Sequence, residues 1–97
     1  MPTPSYLFDP VLGFARSHGG LPVFIAEWGS NTATSTMQPR FIQQMQAYVT
    51  ANRAIAATMY WDENGGNCHY SIDSHAASVA ALRAMGHSAV YQGSAAG

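Results

Sequence analysis

Two short apolar runs, in which Glu27 aligns with Trp61 at an offset of 34 positions, limit the folds that this chain can adopt. The first run covers residues 23–30, the second covers residues 54–61, and turn-forming residues bound both. An apolar run of this length without alternation predicts a buried strand of a parallel sheet, in which both faces are covered. A helical pattern follows each run, so the order is α-βα-βα. Right-handed crossovers then predict two parallel neighbouring strands in an α/β fold.

Helical patterns precede and separate the two strands. The pair Asp9–Pro10 predicts the cap and first position of one helix, and the pair Gly19–Gly20 predicts its end. Residues 39–53 carry an amphipathic pattern. Its apolar face consists of Phe41, Ile42, Met45, Tyr48 and Val49. We expect this face to pack against the sheet.

The end of the chain predicts one more helix and a tail. Asp73 or Ser74 caps a helix that Gly86 ends. Residues 87–97 are mostly small, which predicts a flexible tail. The 97 residues are enough for a single domain, whose core we expect at about residues 8–86.

The composition predicts self-association. Hydrophobic residues make up 47% of the chain and charged residues 9%, whereas an ordinary soluble domain has about 25% charged residues. Two parallel strands alone would also leave unpaired backbone groups at both edges of the sheet. We therefore expect copies of the chain to form a homo-oligomer that completes the sheet.

Charge and hydropathy argue against two classes of partner. The net charge is -1, and the chain has four Arg and no Lys, so it has no basic patch for nucleic acid. No apolar stretch approaches the roughly 20 residues that a membrane-spanning helix needs. The N-terminus lacks the pattern of a signal peptide. The single Cys68 cannot close an internal disulfide.

Glu27 is one of five acidic residues and ends the first apolar run. Reactive groups of α/β proteins gather at the carboxyl ends of parallel strands, because the following helices leave a crevice there. The second run ends in the same way, on Trp61 and Asp62. The alternative is that Glu27 simply ends its strand in solvent.

Residues 22–29, followed by an amphipathic helix, by residues 57–61 and by a glycine-rich loop, resemble the seventh and eighth βα units of clan A glycoside hydrolases. These enzymes are (β/α)8 barrels that hydrolyse glycosidic bonds with retention. The resemblance covers about residues 8–86. It implies that Glu27 is the nucleophile and that Trp61 forms the floor under the sugar.

The resemblance also sets the remaining expectations. We expect the substrate to be a carbohydrate, with Trp28, Trp61, Asp62 and His69 as binding residues. No cofactor and no metal are expected. The family resemblance implies a secreted protein, although this chain shows no signal peptide.

The chain departs from the family in lacking the acid/base Glu, which ends the fourth strand of the barrel. Retaining hydrolysis needs two carboxyl groups about 5 to 5.5 Å apart. Asp62 and Glu63 are the candidates for the second group within the chain. A carboxylate from another copy is the other candidate.

Two further functions stay open. The first is a non-catalytic barrel fragment that self-assembles or binds sugar weakly, because one carboxylate without a proton donor leaves the departing group unassisted. The second is a small ester hydrolase. Its candidate residues are Ser30, Ser71, Ser74, His69, His75 and Asp73. The Gly-x-Ser-x-Gly pattern that places such a serine after a strand is missing.

A metal site is the least supported possibility. Cys68, His69, Asp73 and His75 lie within eight residues of each other. Their spacing contains neither Cys-x-x-Cys nor His-x-x-x-His, so we expect a polar loop there.

Overall fold

The chain forms a small α/β unit in a computed structural model that describes residues 3–30, 37–62, 64–65, 68–72 and 75–92. The elements are α1 Pro4–Ser17, β1 Val23–Trp28, α2 Met37–Ala51, β2 Ile55–Tyr60, β3 Asn64–Gly65, β4 Cys68–His69, α3 Ala76–His87 and α4 Ala89–Gln92. This order confirms the predicted α-βα-βα arrangement. Within the described ranges, no helix is long and apolar enough to cross a membrane.

The two predicted strands are parallel neighbours, as expected. Val23 pairs with Ile55 at one end of the ladder, and Trp28 pairs with Tyr60 at the other end. A second and very short sheet was not predicted: β3 and β4 pair antiparallel, with Asn64 opposite His69. The sequence in this region predicted only a turn-rich loop.

The main sheet is covered on one face, so the prediction of two fully buried strands was wrong. Val23, Ile25 and Trp28 are the buried residues of β1, whereas Phe24 is 62% exposed. Met59 of β2 is likewise 60% exposed. The physical reason is that the helices cover only one side of the two strands. The sequence does not reveal that one face is uncovered, because the residues on that face are apolar too.

Helix α2 lies at the centre of the helix layer and contacts both α1 and α3. The predicted apolar face is confirmed, because four of its residues are buried and the fifth, Tyr48, is half-buried and packs against the core. The buried four are Phe41, Ile42, Met45 and Val49. The helix begins at Met37, two positions before the predicted start.

Helix α1 begins earlier than predicted. Thr3 is its N-cap, where Thr3 Oγ1 accepts a hydrogen bond from the Tyr6 amide at 3.3 Å, and Pro4 occupies the first turn. Asp9–Pro10, the predicted start, lies inside the helix. Both Thr3–Pro4 and Asp9–Pro10 fit a helix start, and the chain uses the first. The predicted end is confirmed, because Gly19 and Gly20 have φ angles of 89° and 74°.

The C-terminal helices also differ from the sequence prediction. The N-cap of α3 is His75, and the predicted caps Asp73 and Ser74 lie outside the described residues. The helix continues through Gly86 to His87. The segment from residue 87 to residue 92, predicted as flexible tail, is largely helical.

Tyr91 explains why α4 is ordered. Its hydroxyl and Thr58 Oγ1 of β2 are 2.8 Å apart, and its side chain packs with Val90 against the core. The sequence interpretation noticed the small residues of this segment and missed the two large ones.

Tyr48 links α2 to α1. Its hydroxyl donates a hydrogen bond to Asp9 Oδ1 at 2.6 Å. Burial raises the pKa of Tyr48, and the hydrogen bond to Asp9 and the negative charge of Asp9 raise this pKa further. Burial also raises the pKa of Tyr60 and of Tyr91.

These raised pKa values predict a loss of stability in alkali. A group whose folded pKa lies above its unfolded value stabilises the protein fully below the unfolded value, and this contribution is lost as the pH rises through the folded pKa. For tyrosine the loss begins near pH 10. We expect the urea midpoint to fall between about pH 8 and about pH 11.5, and to fall less in Tyr48→Phe.

The exposed Tyr6 provides the control for this prediction. The Tyr6→Phe variant should follow the wild type over the same pH range. The chain has no lysine, so lysine deprotonation cannot produce the effect. Equal slopes for wild type and Tyr48→Phe would contradict the assignment.

Candidate active site

An open hollow of about 310 Å³ lies at the carboxyl ends of β1 and β2. Its lining residues are Glu27, Trp28, Gly29, Trp61 and Tyr70. The Trp61 amide donates a hydrogen bond to the Trp28 carbonyl at 2.7 Å, which brings the two strand ends together. The structure therefore places Glu27 and Trp61, which the sequence singled out, on one hollow.

Glu27 lies at an irregularity of β1. Ile25 pairs with Thr58 and Trp28 with Tyr60, so three steps along β1 match two steps along β2. This extra residue is a β-bulge, and bulges redirect side chains near the ends of strands. Glu27 is exposed. Within the described part of the chain its carboxylate has neither an ion-pair nor a hydrogen-bond partner, so it is available to a ligand.

The two tryptophans differ in exposure. Trp28 is 6% exposed, and its ring packs edge-on against Tyr60 with centroids 4.9 Å apart. It also contacts Phe41, at a centroid distance of 6.1 Å. Trp61 is 44% exposed. Most of the Trp28 side chain therefore belongs to the core, whereas the half-exposed Trp61 is accessible at the hollow.

Tyr70 forms a further wall of the hollow, which the sequence did not indicate. A Cβ atom at Gly29 would lie 3.1 Å from Tyr70 Cδ1, closer than ordinary van der Waals contact. A larger residue at position 29 would therefore require the Tyr70 ring to move by a few tenths of an ångström. The Gly after Glu27–Trp28 was the signal available in the sequence, but its partner is 41 positions away.

Gln38 fixes the loops that form the hollow, and the sequence interpretation missed it. Its side chain is 0% exposed. Gln38 Nε2 donates to the Ser30 carbonyl at 3.0 Å, to the Tyr60 hydroxyl at 3.0 Å and to the Tyr70 carbonyl at 3.3 Å. The Tyr60 hydroxyl itself donates to the Tyr70 carbonyl at 2.6 Å. One amide thus ties together the segments that follow β1 and β2.

The other predicted residues of the site have different positions. Asp62 is exposed, and its Oδ1 accepts a hydrogen bond from the Ile72 amide at 2.7 Å. Asp62 therefore holds the loop after β2. The backbone of His69 lies in β4. The side chain of His69, together with Glu63 and Asp73, lies outside the described residues.

The described residues give little support to a metal site or to an ester hydrolase. Among the described side chains, no group of three His, Cys, Asp or Glu residues could hold a metal ion. Ser30, one candidate nucleophile for an ester hydrolase, is buried. A close Ser–His pair does occur at the end of α1, where Ser17 Oγ and His18 Nδ1 are 3.1 Å apart, but this pair is not part of the hollow.

Comparison with known proteins identifies no relative, because no family model, no curated protein and no solved structure matches the chain. The geometry of the site is therefore the basis for any functional assignment.

Proposed function

We propose that the hollow binds a carbohydrate and that Glu27 is the nucleophile of a retaining glycoside hydrolase site. The observation that carries this proposal is the position of the exposed Glu27 carboxylate on one open hollow with Trp61 and Tyr70. An aromatic ring offers a flat apolar face that packs against the C–H face of a sugar ring. A carboxylate beside such a ring has the chemistry to attack an anomeric carbon.

The proposed reaction has two steps. A Glu27 oxygen attacks the anomeric carbon, the bond to the leaving oxygen breaks, and a glycosyl ester of Glu27 forms. Water then attacks the same carbon, releases the sugar with retention and restores the Glu27 carboxylate. The leaving oxygen needs a proton in the first step unless it belongs to a strongly acidic phenol.

The first step needs a proton donor beside the leaving oxygen. Asp62 is the nearest candidate along the chain, but its Oδ1 is engaged with the Ile72 amide. Without a donor, hydrolysis of an ordinary glycoside should lose on the order of 10²- to 10⁴-fold in rate. We propose that further chain completes the barrel and supplies this group, and self-association is one source of it.

The engaged Asp62 also favours a second candidate function. A hollow with one free carboxylate and an aromatic platform can bind sugar without cleaving it. This non-catalytic function predicts the same binding and no turnover.

Sugar binding can be tested by tryptophan fluorescence. We expect soluble oligosaccharides to change the emission of Trp61, because its ring is half-exposed in the hollow. The change should be absent in Trp61→Phe, where the buried Trp28 is the remaining fluorophore. Trp61→Ala should weaken binding by up to about tenfold, the scale of one aromatic contact.

Glu27→Gln is the matched variant for this titration. It keeps the ring and the shape of the hollow, so an emission change should persist. No emission change across a series of linkages in the folded wild type would contradict a carbohydrate site. A change of equal size in Trp61→Phe would contradict the role of the Trp61 ring as the platform for the sugar, because Trp28 is then the tryptophan of the hollow that responds.

A further inference from the structure

A second hollow, of about 260 Å³, lies at the amino ends of the strands and is lined by two arginines. We call it the basic hollow; its lining includes Leu12, Arg16, Leu21 and Arg53. Arg16 belongs to the last turn of α1, and Arg53 lies in the turn between α2 and β2. The sheet holds these two segments side by side, because the Val23 amide donates a hydrogen bond to the Ala54 carbonyl at 2.7 Å. Half of the four arginines of the chain therefore line one hollow.

No described carboxylate neutralises this pair of positive charges. Asp9 is engaged with the Tyr48 hydroxyl. Glu27 and Asp62, the other two carboxylates that the structure describes, lie at the carboxyl ends of the strands. Neither guanidinium group has an ion-pair or hydrogen-bond partner within the described ranges. Both arginines are therefore available to an anion from solution.

The helix ends do not account for the two arginines. A basic residue near the end of a helix commonly binds the last carbonyl groups of that helix. Here other donors bind carbonyls at both ends. The Ala15 carbonyl of α1 accepts a hydrogen bond from the Gly20 amide at 3.0 Å. The Tyr48 carbonyl of α2 accepts one from Asn52 Nδ2 at 2.8 Å.

Two arginines on an apolar hollow fit a phosphate group better than a carboxylate. A guanidinium group presents a planar fork of N–H donors that binds two oxygen atoms of one anion. A phosphate monoester carries a charge of about -1.5 to -2 at pH 7, which matches two arginines, whereas a carboxylate carries a single charge and matches one. Leu12 and Leu21 form an apolar wall of the basic hollow, against which a small organic group can pack.

We propose that the basic hollow binds the phosphate group of a small phosphorylated molecule between Arg16 and Arg53, with the organic part of that molecule against the apolar wall. The basic hollow and Glu27 lie at opposite ends of β1. The six residues of this strand span about 20 Å, at roughly 3.3 Å per residue. The phosphate site therefore goes beyond the proposed sugar site and does not depend on it.

Nuclear magnetic resonance of the arginine side chains tests this proposal. The chain has four arginines and no lysine, so the Nε–H region should contain four signals, which single Arg→Gln variants assign. Phenyl phosphate, titrated at pH 7 and constant ionic strength, should shift the Arg16 and Arg53 signals to saturation. The dissociation constant should be on the order of 1 mM, the scale of two charge-assisted contacts. The signals of Arg40 and Arg83 should stay in place. Inorganic phosphate should bind more weakly, because it makes no contact with the apolar wall.

Removal of either arginine should weaken binding. Arg16→Gln and Arg53→Gln should each raise the dissociation constant of phenyl phosphate by about tenfold, because one of the two charged contacts is lost. Arg83→Gln on α3 loses the same charge away from the basic hollow and should bind as the wild type does. All three positions are exposed, so the far-ultraviolet circular dichroism spectra should be unchanged.

Three results would contradict the phosphate site. Arg16 and Arg53 signals that stay in place would overturn it, as would four signals that shift together without saturation, since that result indicates general ionic attraction. Equal losses of affinity in Arg53→Gln and Arg83→Gln would place the binding outside the basic hollow. Benzoate that binds as tightly as phenyl phosphate would overturn the preference for phosphate over carboxylate.

Discussion

Glu27→Gln should abolish the release of dinitrophenolate from a dinitrophenyl glycoside. This leaving group departs without a proton, so the assay needs only the nucleophile and does not depend on the missing acid. Gln has the shape of Glu but cannot form the glycosyl ester. We expect the rate to fall on the order of 10⁴-fold, the scale seen when one member of a nucleophilic pair is removed.

The same assay measures whether a proton donor is present. A nitrophenyl or alkyl glycoside has a poorer leaving group, and without an acid its hydrolysis should be slower by roughly 10²- to 10⁴-fold than assisted hydrolysis. A shallow dependence on the leaving group would mean that an acid is supplied. A steep dependence that still requires Glu27 would mean that the chain carries the nucleophile half alone.

Asp9→Asn is the matched control for the hydrolysis assay. It removes a carboxylate that binds Tyr48 between α1 and α2, away from the hollow, and should keep the wild-type rate. The thermal unfolding of Glu27→Gln should also match the wild type, because Glu27 is exposed. Equal rates for wild type and Glu27→Gln would refute the proposed nucleophile. Equal rates at the uncatalysed level would leave the non-catalytic function.

Gln38→Leu should be the most damaging single change at the hollow. It removes the donor to the Ser30 carbonyl, the Tyr60 hydroxyl and the Tyr70 carbonyl, while a side chain of similar size still fills the space. A buried acceptor left without a partner costs about 1–3 kcal/mol. We expect urea unfolding to show a loss of about 3 kcal/mol, a large part of the roughly 5–15 kcal/mol that stabilises a typical domain.

Gln38→Glu separates hydrogen bonding from size. Burial should raise the pKa of the introduced carboxyl above its usual value of about 4.3. The protonated form can still donate one hydrogen bond, but the carboxylate repels the same carbonyls. The stability of this variant should therefore be highest at low pH and should fall as the pH rises through the raised pKa.

Gln44→Leu makes the Gln38→Leu replacement on the exposed side of α2 and should change stability by at most about 0.5 kcal/mol. A similar small loss in Gln38→Leu would show that the network around Gln38 does not hold the loops. A Gln38→Glu variant whose stability is independent of pH would lead to the same conclusion.

Several features of the fold could be predicted from the sequence because they depend on local pattern. The apolar runs before Gly29 and Trp61 give the strands, and the spacing of Ile42, Met45 and Val49 gives the buried face of α2. The connection through α2 then makes the strands parallel. Since parallel strands end at the same edge, Glu27 and Trp61 had to come near each other.

Other features depend on contacts between distant segments. Nothing local distinguishes Trp28 from Trp61, yet the bulge in β1 and the packing of Tyr60 bury the first and leave the second exposed. In the sequence, Gln38 looks like an ordinary polar residue at the start of a helix. Its role arises because three segments present acceptors to one buried amide.

The sequence by itself determined the two βα units and the position of Glu27 at the carboxyl end of β1, since hydrophobic period and turn residues act over short stretches. The tertiary structure alone decided which face of the sheet is covered, which tryptophan lines the hollow, and that Tyr70 and Gln38 complete it. These outcomes depend on how closely segments that are far apart in the chain approach each other. The contact between Tyr70 and Gly29 is an example. Distances of that kind are set by packing and by buried hydrogen bonds, which no local pattern records.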